Sequence, residues 1–194
     1  MPLVKTPFLP AINKKHKYSL VLDLDETLIH YINNGESGDS VNENSESYFL
    51  IRPFCNEFLR EMAQFYEIVI FTAGVQDYAD WVVDQLDPTG ELISHRLYRQ
   101  HTINRSKTNP FPIIIKDLSK IGRPLTKTII VDNIAENFLL QKDSGIFIKT
   151  WKSDNEDTQL RDLIPLLKEI VVCDVSDVRV SLRKFRDQIA RMIV

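Results

Sequence analysis

The stretch "YSLVLDLDETLIHYINNGES", residues 18–37, joins a buried strand to a pair of carboxylates. Its short apolar run, closed by polar residues, is typical of a strand that is buried on both faces. The run ends at Asp23, and Asp25 follows two positions later. Because residues i and i+2 of an extended segment point the same way, both carboxylates can face one pocket. Two like charges there are costly unless water, or a cation and a substrate, accompany them.

Composition indicates a globular intracellular protein of one domain. The 194 residues include 43% hydrophobic and 26% charged residues, which is ordinary for such a domain. The net charge of −3 does not suggest polyanion binding, so no direct nucleic-acid partner is expected. Cys55 and Cys173 lack metal-site spacing and are too few for a disulfide framework, which favours a reducing compartment. No apolar run reaches the ~20 residues of a transmembrane helix. We expect a nuclear or cytoplasmic monomer.

Apolar runs and helical periodicities alternate along the chain. This order is typical of an α/β fold, here a Rossmann-like one with a mostly parallel central sheet and helices on both faces. Residues 91–115 interrupt the alternation with irregular short strands. Strands are predicted at 18–24, 48–53, 66–74, 127–133 and 145–151, and helices at 54–65, 75–87, 156–171 and 177–194.

Polar side chains close three of the predicted strands. They are Asp23, Thr72 and the pair Asp132 and Asn133. In an open parallel sheet, ligands bind beyond the carboxyl ends of the strands, so we expect these residues to surround one site. Carboxylate, amide and carbonyl oxygens form a hard environment that suits Mg²⁺.

The types of residue at this edge fit chemistry at phosphorus. One carboxylate of the pair Asp23 and Asp25 can act as a nucleophile, and the other can carry the proton of the leaving alcohol. Thr72 offers a hydroxyl to a phosphoryl oxygen, and Lys116 offers a fixed positive charge. An Asp-x-Asp-x-Thr pattern alone is weak, but its place after a buried strand, followed by these residues in order, makes it specific.

Seven segments together resemble the haloacid-dehalogenase superfamily of aspartate-based phosphatases. More narrowly, the chain is similar to the small-phosphatase branch that includes the RNA polymerase II C-terminal-domain phosphatases, Dullard and NLI-interacting-factor-like proteins. The resemblance covers about residues 17 to 170. The segments are "VLDLDETLIH", "RPFCNEFLREM", "YEIVIFTAGVQDYAD", "LYRQ", "IKDLSKIGR", "IIVDN" and "TWKSDNEDTQLRDLIPLL".

The resemblance implies a division of the chain. Residues 18–176 would form a haloacid-dehalogenase-like phosphatase domain, with a small antiparallel sheet inserted at about residues 88–112. Residues 1–17 would be an irregular lead-in. Residues 177–194 would form an amphipathic helix that packs on the domain, with apolar residues at helical spacing.

The resemblance also implies roles for the residues at the strand ends. Asp23 matches the nucleophile that becomes an aspartyl-phosphate and also binds the metal. Asp25 matches the general acid and base, and its backbone carbonyl a Mg²⁺ ligand. Thr72 matches the hydroxyl of the second motif, and Lys116 the lysine of the third.

Further residues match the metal and substrate sites of the family. Asn133 matches a direct metal ligand, and Asp132 stands beside it as a further candidate. Arg99, in "LYRQ", matches an arginine of the inserted sheet that binds substrate. Val75 and Tyr78 match positions that line an apolar groove for a substrate proline.

The implied function is that of a Mg²⁺-dependent protein serine/threonine phosphatase acting through an aspartyl-phosphate. Its substrate would be a peptide like the phosphorylated RNA polymerase II C-terminal domain, or another phosphoprotein. One alternative is a binding module on the same fold with little or no catalysis, like a protein-import receptor, because a fold does not fix a function. A third alternative is a phosphatase that acts on a small metabolite or on a nucleic-acid end.

Three departures from the family concern specificity. Asn33 stands where relatives carry a groove aromatic, and the acidic polar stretch 33–47 replaces the apolar strand that follows there. Asp77 replaces a basic residue, and the longer stretch 101–115 adds Arg105 and Lys107. We expect the acidic stretch to disfavour strongly acidic peptides and to favour basic or neutral flanks.

Overall fold

The computed structural model describes residues 4–12, 15–32, 48–105 and 113–192. Within these ranges the chain forms nine strands and four α-helices. The strands are β1 (Tyr18–Leu22), β2 (Ile29–Ile32), β3 (Tyr48–Ile51), β4 (Tyr66–Phe71), β5 (His95–Leu97), β6 (Ile103–Asn104), β7 (Ile114–Ile115), β8 (Thr128–Asp132) and β9 (Gly145–Phe147). The helices are α1 (Cys55–Met62), α2 (Gln76–Leu86), α3 (Gln159–Val172) and α4 (Val178–Met192).

The central sheet of the described chain has five strands in the order β5-β4-β1-β8-β9, all parallel to their neighbours. Every residue of β1, β4 and β8 is buried, which explains why these strands are continuous apolar runs. In the register of the sheet, Leu22 lies between Ile70 and Val131. The residues that follow these strands therefore emerge side by side, and the predicted parallel sheet is confirmed.

Two small antiparallel pairs accompany the central sheet in the described residues. β2 pairs with β3, with Ile29 opposite Ile51. β6 pairs with β7, with Ile103 opposite Ile115, which confirms a small antiparallel sheet. β6 lies within the predicted insert at about residues 88–112, and β7 follows just after it. The stretch 106–112 between β6 and β7 lies outside the described residues.

The two faces of the central sheet are covered by different structures. Alternate residues of β1, such as Leu20 and Leu22, join the core that contains the buried residues of all four described helices. Val21 points into a second core with Leu118 and Phe138, which lie in 3-10 turns. Both faces are covered, as predicted, but 3-10 turns replace α-helices on the second one. These segments are short or divided: Leu118–Lys120 has three residues, and Phe138 and Gln141 have non-helical backbone angles inside Ala135–Ser144.

The first residues of the described chain pack on this second face. The backbone N–H of Phe8 donates to the carbonyl of Lys120 (2.8 Å), and Leu9 is buried in the second core. Gly122 has φ 81°, and a Cβ there would lie 2.6 Å from Cβ of Pro7. A glycine is therefore needed at this position both for its backbone conformation and for the close approach of Pro7.

The C-terminal helices continue this architecture. Pro165 lies inside α3. α4 buries Val178 and Leu182 against the main core, and Arg186 donates to the carbonyl of Gly145 (2.9 Å). None of the helices in the described ranges is long and apolar enough to cross a membrane.

Several sequence expectations fall outside the described residues. Asn33, the acidic stretch 33–47 and Lys107 lie outside the ranges that the structure describes. So do the side chains of residues 188–194, which include part of the apolar face predicted for the last helix.

Candidate active site

Asp23 follows β1 at the carboxyl edge of the sheet and is 5% exposed. Its backbone N–H donates to Val131, which continues the ladder between β1 and β8 (3.0 Å). One carboxylate oxygen, Oδ1, accepts from Nζ of Lys116 at 2.5 Å, and the other, Oδ2, accepts from the hydroxyl of Thr27 at 2.9 Å. The carboxylate is therefore held on both sides while a small part of it remains accessible, as a nucleophile requires.

Lys116 is fully buried between two carboxylates. Nζ contacts Oδ1 of Asp23 and Oδ2 of Asp132 (2.6 Å), and its backbone N–H donates to Asn137 (2.7 Å). Burial alone would lower the pKa of Lys116, but Asp23 and Asp132 outweigh that effect and raise it. The lysine therefore stays charged inside the site and can stabilise negative charge there.

Asp132 accepts hydrogen bonds on both of its carboxylate oxygens. Its oxygens accept from Lys116, from the backbone N–H of Ile134 (2.8 Å) and from Nδ2 of Asn137 (2.9 Å). Its side chain is completely buried, and burial together with the charge of Asp23 raises its pKa. These contacts place Asp132 to hold Lys116 in the site, and its role as a metal ligand stays a prediction.

Asp25 is held by two hydroxyl groups. Tyr78 donates to Oδ1, and Thr72 donates to Oδ2 at 3.2 Å. Thr72 follows β4, where its own hydroxyl accepts from the N–H of Gly74 (2.8 Å). Burial raises the pKa of Asp25, the bonds from Tyr78 and Thr72 oppose this, and the nearby charges of Asp23 and Glu26 add to it. A raised pKa favours the protonated form of Asp25 relative to an ordinary aspartate, as a general acid requires.

Asn133 lies close to Asp23 through a shared neighbour. The hydroxyl of Thr27, besides its bond to Asp23, lies 3.4 Å from Oδ1 of Asn133, and Nδ2 of Asn133 donates to Thr150 (3.1 Å). A carboxylate oxygen of Asp23 and the amide oxygen of Asn133 thus lie near the same hydroxyl group, that of Thr27. Asp25 follows Asp23 two positions later in the chain.

This all-oxygen donor set fits Mg²⁺, which usually takes one or two carboxylates and completes its shell with water and phosphate. In the described ranges, no three His, Cys, Asp or Glu side chains gather into a metal-binding group. A site here therefore depends on Asn133 and a backbone carbonyl as well as Asp23.

The predicted substrate-binding residues lie on the loop after β4 or next to it. Nε of Arg99 donates to the carbonyl of Ala73 (2.7 Å), and its backbone N–H donates to Gly74 (2.9 Å). Its side chain is exposed, so it can meet a ligand that approaches Thr72. Val75 is exposed at the start of α2, whereas the hydroxyl of Tyr78 is bonded to Asp25. The structure thus brings Arg99 beside the site but directs Tyr78 toward the carboxylate.

An ion pair behind the site was not predicted from the sequence. Nε and Nη2 of Arg52 donate to the two carboxylate oxygens of Asp157 at 2.8 and 2.7 Å. Nη1 donates to the carbonyl of Thr27, whose hydroxyl contacts Asp23. Burial would raise the pKa of Asp157, but Arg52 outweighs it and lowers the pKa. The two residues are 105 positions apart, so no local spacing reveals the pair.

The chain is similar to known phosphatases over most of its length. The family model described as NLI interacting factor-like phosphatase matches residues 18–179. A "Probable C-terminal domain small phosphatase" of Dictyostelium discoideum is 42% identical over 87% of the chain. The human "Carboxy-terminal domain RNA polymerase II polypeptide A small phosphatase 2" is 34% identical over 93% of the chain. The chain spans 55% of the length of the Dictyostelium protein and 67% of the human one.

A solved structure shows the same fold. The structure of Fcp1, described as an essential RNA polymerase II CTD phosphatase, superposes with a TM-score of 0.68. The match covers 87% of this chain and 70% of Fcp1, at 18% sequence identity. At that identity the likeness concerns the fold alone, and it agrees with the parallel sheet described above.

Proposed function

The chain belongs to the NLI interacting factor-like phosphatase family, and from this membership we propose that it is a Mg²⁺-dependent protein serine/threonine phosphatase acting through an aspartyl-phosphate on Asp23. The membership confirms the resemblance drawn from the motifs and supports a phosphatase activity. The reaction, its metal and its substrate are our proposals.

The observation that carries the proposal is the pair of contacts on Asp23. Lys116 and Thr27 donate to opposite oxygens of this carboxylate, at 2.5 and 2.9 Å. Such contacts hold the carboxylate in one orientation and fix the direction from which it can attack. A carboxylate that served only as a solvated turn residue would not need a buried lysine beside it.

The proposed reaction has two steps. In the first, an oxygen of Asp23 attacks phosphorus, the bond from phosphorus to the serine or threonine oxygen breaks, and Asp25 gives its proton to that oxygen. In the second, Asp25 takes a proton from water, and the water oxygen attacks phosphorus. The acyl-phosphate bond breaks, inorganic phosphate leaves, and Asp23 is regenerated.

Two fixed groups would stabilise the phosphoryl oxygens. Lys116 supplies positive charge within reach of the attacking carboxylate, and Arg99, exposed beside Ala73, can meet the phosphate from outside. Asp23, Asn133 and the backbone carbonyl of Asp25 would hold Mg²⁺. When bound, the ion reduces the repulsion between the carboxylate nucleophile and the anionic phosphate.

We propose a phosphorylated protein segment as the substrate. The name of the human relative links that protein to the C-terminal domain of RNA polymerase II, and we extend the class of substrate, not its identity, to this chain. We also propose that this protein acts inside the cell and is a monomer. Because residues 33–47 are acidic, we propose that the protein prefers substrates with basic or neutral residues beside the phosphorylated residue.

A phosphopeptide panel tests the proposal. Phosphoserine and phosphothreonine peptides with basic, neutral or acidic flanks are incubated with the protein in Mg²⁺ or in a chelator, and phosphate release is measured. We expect turnover with Mg²⁺, loss with the chelator, and the slowest turnover on acidic flanks. If the protein hydrolyses neither the peptides nor a generic aryl phosphate, the proposal is contradicted and the alternative of a binding module is favoured.

A further inference from the structure

The hydroxyl group of Tyr78 is directed at the proposed proton carrier. It donates to Oδ1 of Asp25, while Thr72 donates to Oδ2 at 3.2 Å. The terminal torsion of an aspartate side chain is broad, so a carboxyl group without fixed partners rotates freely. Two hydroxyls on opposite oxygens restrict that rotation and fix which oxygen faces Thr72.

The ring of Tyr78 is held in place by an aromatic cluster. The cluster consists of Tyr31, Phe49, Tyr78 and Trp81. Tyr31 of β2 meets Tyr78 edge to face, with ring centroids 5.4 Å apart, and Trp81 of α2 lies 6.4 Å from it. Phe49 of β3 packs on Trp81 at 5.1 Å. Contacts of this kind favour one ring orientation beyond simple burial. The cluster thus connects the antiparallel pair of β2 and β3 to α2 and to Asp25.

The loop after β4 completes the arrangement. A Cβ added to Gly74 would lie 3.1 Å from Oγ1 of Thr72 and 3.1 Å from Cδ1 of Tyr78. The N–H of Gly74 donates to the Thr72 hydroxyl, so the hydroxyl proton is free to bond to Asp25. The close fit of these three residues leaves the Asp25 carboxyl between two donors whose own positions are fixed.

We propose that Tyr78 is a positioning residue for proton transfer: its hydroxyl fixes the Asp25 carboxyl so that the oxygen on the Thr72 side faces the leaving group. This role differs from that of a groove wall, which uses the ring and not the hydroxyl. The inference rests on the proposed function, because it assigns Tyr78 a part in the same reaction. A well-oriented acid contributes far more to the rate than a rotating one.

The role predicts a dependence on the leaving group. A strongly acidic phenol leaves from phosphorus with little help from a proton, whereas a weakly acidic phenol needs it. Tyr78→Phe keeps the ring and removes only the hydroxyl. We therefore expect kcat/KM of the variant to fall on the order of tenfold or more for phenyl phosphate. The fall for p-nitrophenyl phosphate is expected to be much smaller.

The experiment compares a series of aryl phosphates of graded phenol acidity. kcat/KM is measured for the wild type, Tyr78→Phe and the control Tyr66→Phe. Tyr66 donates its hydroxyl to the carbonyl of Leu167 (2.7 Å), at the start of β4 and away from Thr72. The control loses the same kind of buried hydrogen bond and should follow the wild-type slope. Because the series contains no peptide, a contact between Tyr78 and a peptide cannot produce a steeper slope.

A second measurement tests whether Tyr78 acts through Asp25. In an Asp25→Asn background, the slope is expected to be steep already, and adding Tyr78→Phe should not steepen it further. An equal fall of Tyr78→Phe across the series, or an additional loss in the Asp25→Asn background, would overturn the positioning role while leaving the proposed function intact. Absence of hydrolysis by the wild type would overturn both.

Discussion

Nζ of Lys116 lies 2.5 Å from Oδ1 of Asp23, although the two residues are 93 positions apart in the chain. The same ammonium group lies 2.6 Å from Asp132, the last residue of β8. Because β1 and β8 are neighbours in a parallel sheet, their ends present both carboxylates to one lysine. The sheet thus gathers two negative charges and one positive charge at its carboxyl edge.

Removal of the lysine charge should destabilise the protein strongly. Lys116→Met would leave two buried carboxylates without their shared partner, and breaking a buried pair of this kind costs about 3–5 kcal/mol. We expect the urea midpoint of unfolding to fall accordingly and phosphate release to be lost.

The double variant Lys116→Met/Asp132→Asn is the matched control. It removes one of the two orphaned charges and should recover part of the stability, but not the activity, because Asp23 still lacks its cation. A double variant no more stable than Lys116→Met would contradict the electrostatic explanation.

The ion pair between Arg52 and Asp157 should support the site from behind. Asp157→Asn leaves the buried guanidinium with a neutral partner, and we expect a loss of up to about 3–5 kcal/mol in unfolding free energy. Turnover should also fall, because Arg52 bonds to the backbone of Thr27, whose hydroxyl holds Asp23.

A surface pair provides the comparison for this loss. Glu61 and Lys168 are 3.1 Å apart and partly exposed, so Glu61→Gln should change stability by about 1 kcal/mol or less. Chemical denaturation of both variants, together with kcat on an aryl phosphate, checks the prediction. Equal effects of the two substitutions would count against a special role for the buried pair.

Acid should weaken the end of the sheet that lies opposite the site. Burial would raise the pKa of Glu67, but hydrogen bonds from Arg123, at 2.6 and 2.8 Å, and from His95 outweigh it and lower the pKa from 4.5 to about 2. The carboxylate is ionised more easily in the folded state. Its contribution to stability, about 3 kcal/mol, is therefore present above pH 4.5 and is lost as the pH falls toward 2.

The pH dependence is measured by urea unfolding of the wild type and Glu67→Gln between neutral pH and about pH 3. The variant should be less stable at neutral pH, and the gap between the two proteins should narrow on acidification, because all other groups titrate in both. A constant gap across this range would show that the charge of Glu67 does not stabilise the fold.

The sequence was sufficient for the central strands and for the meeting point of the site. Continuous apolar runs such as β1 and β8 can only be buried in a sheet that is covered on both faces. Once the sheet is parallel, Asp23, Thr72 and Asp132 must lie at one edge. These features follow from local patterns and from one rule of topology.

Other features depend on contacts between distant residues. β2 is four residues long and is stabilised by β3, about twenty positions later, so its local pattern carries little information. The pair of Arg52 and Asp157 and the bond from Tyr78 to Asp25 likewise join separate parts of the chain. The hydrogen bonds that Asp132 accepts from Asn137 and Lys116 also depend on the three-dimensional positions of these residues, which local sequence patterns do not give.

The measurement that tests the central claim most directly is the location of a phosphoryl group on the chain. The protein is mixed with an aryl phosphate and Mg²⁺, quenched in acid during turnover, digested and mapped by mass spectrometry, with Asp23→Asn treated in parallel. We predict one phosphoryl group on Asp23 in the wild type, and neither phosphorylation nor turnover in Asp23→Asn, with its fold retained. A phosphoryl group on another residue, or an Asp23→Asn variant that turns over substrate as fast as the wild type, would contradict the account.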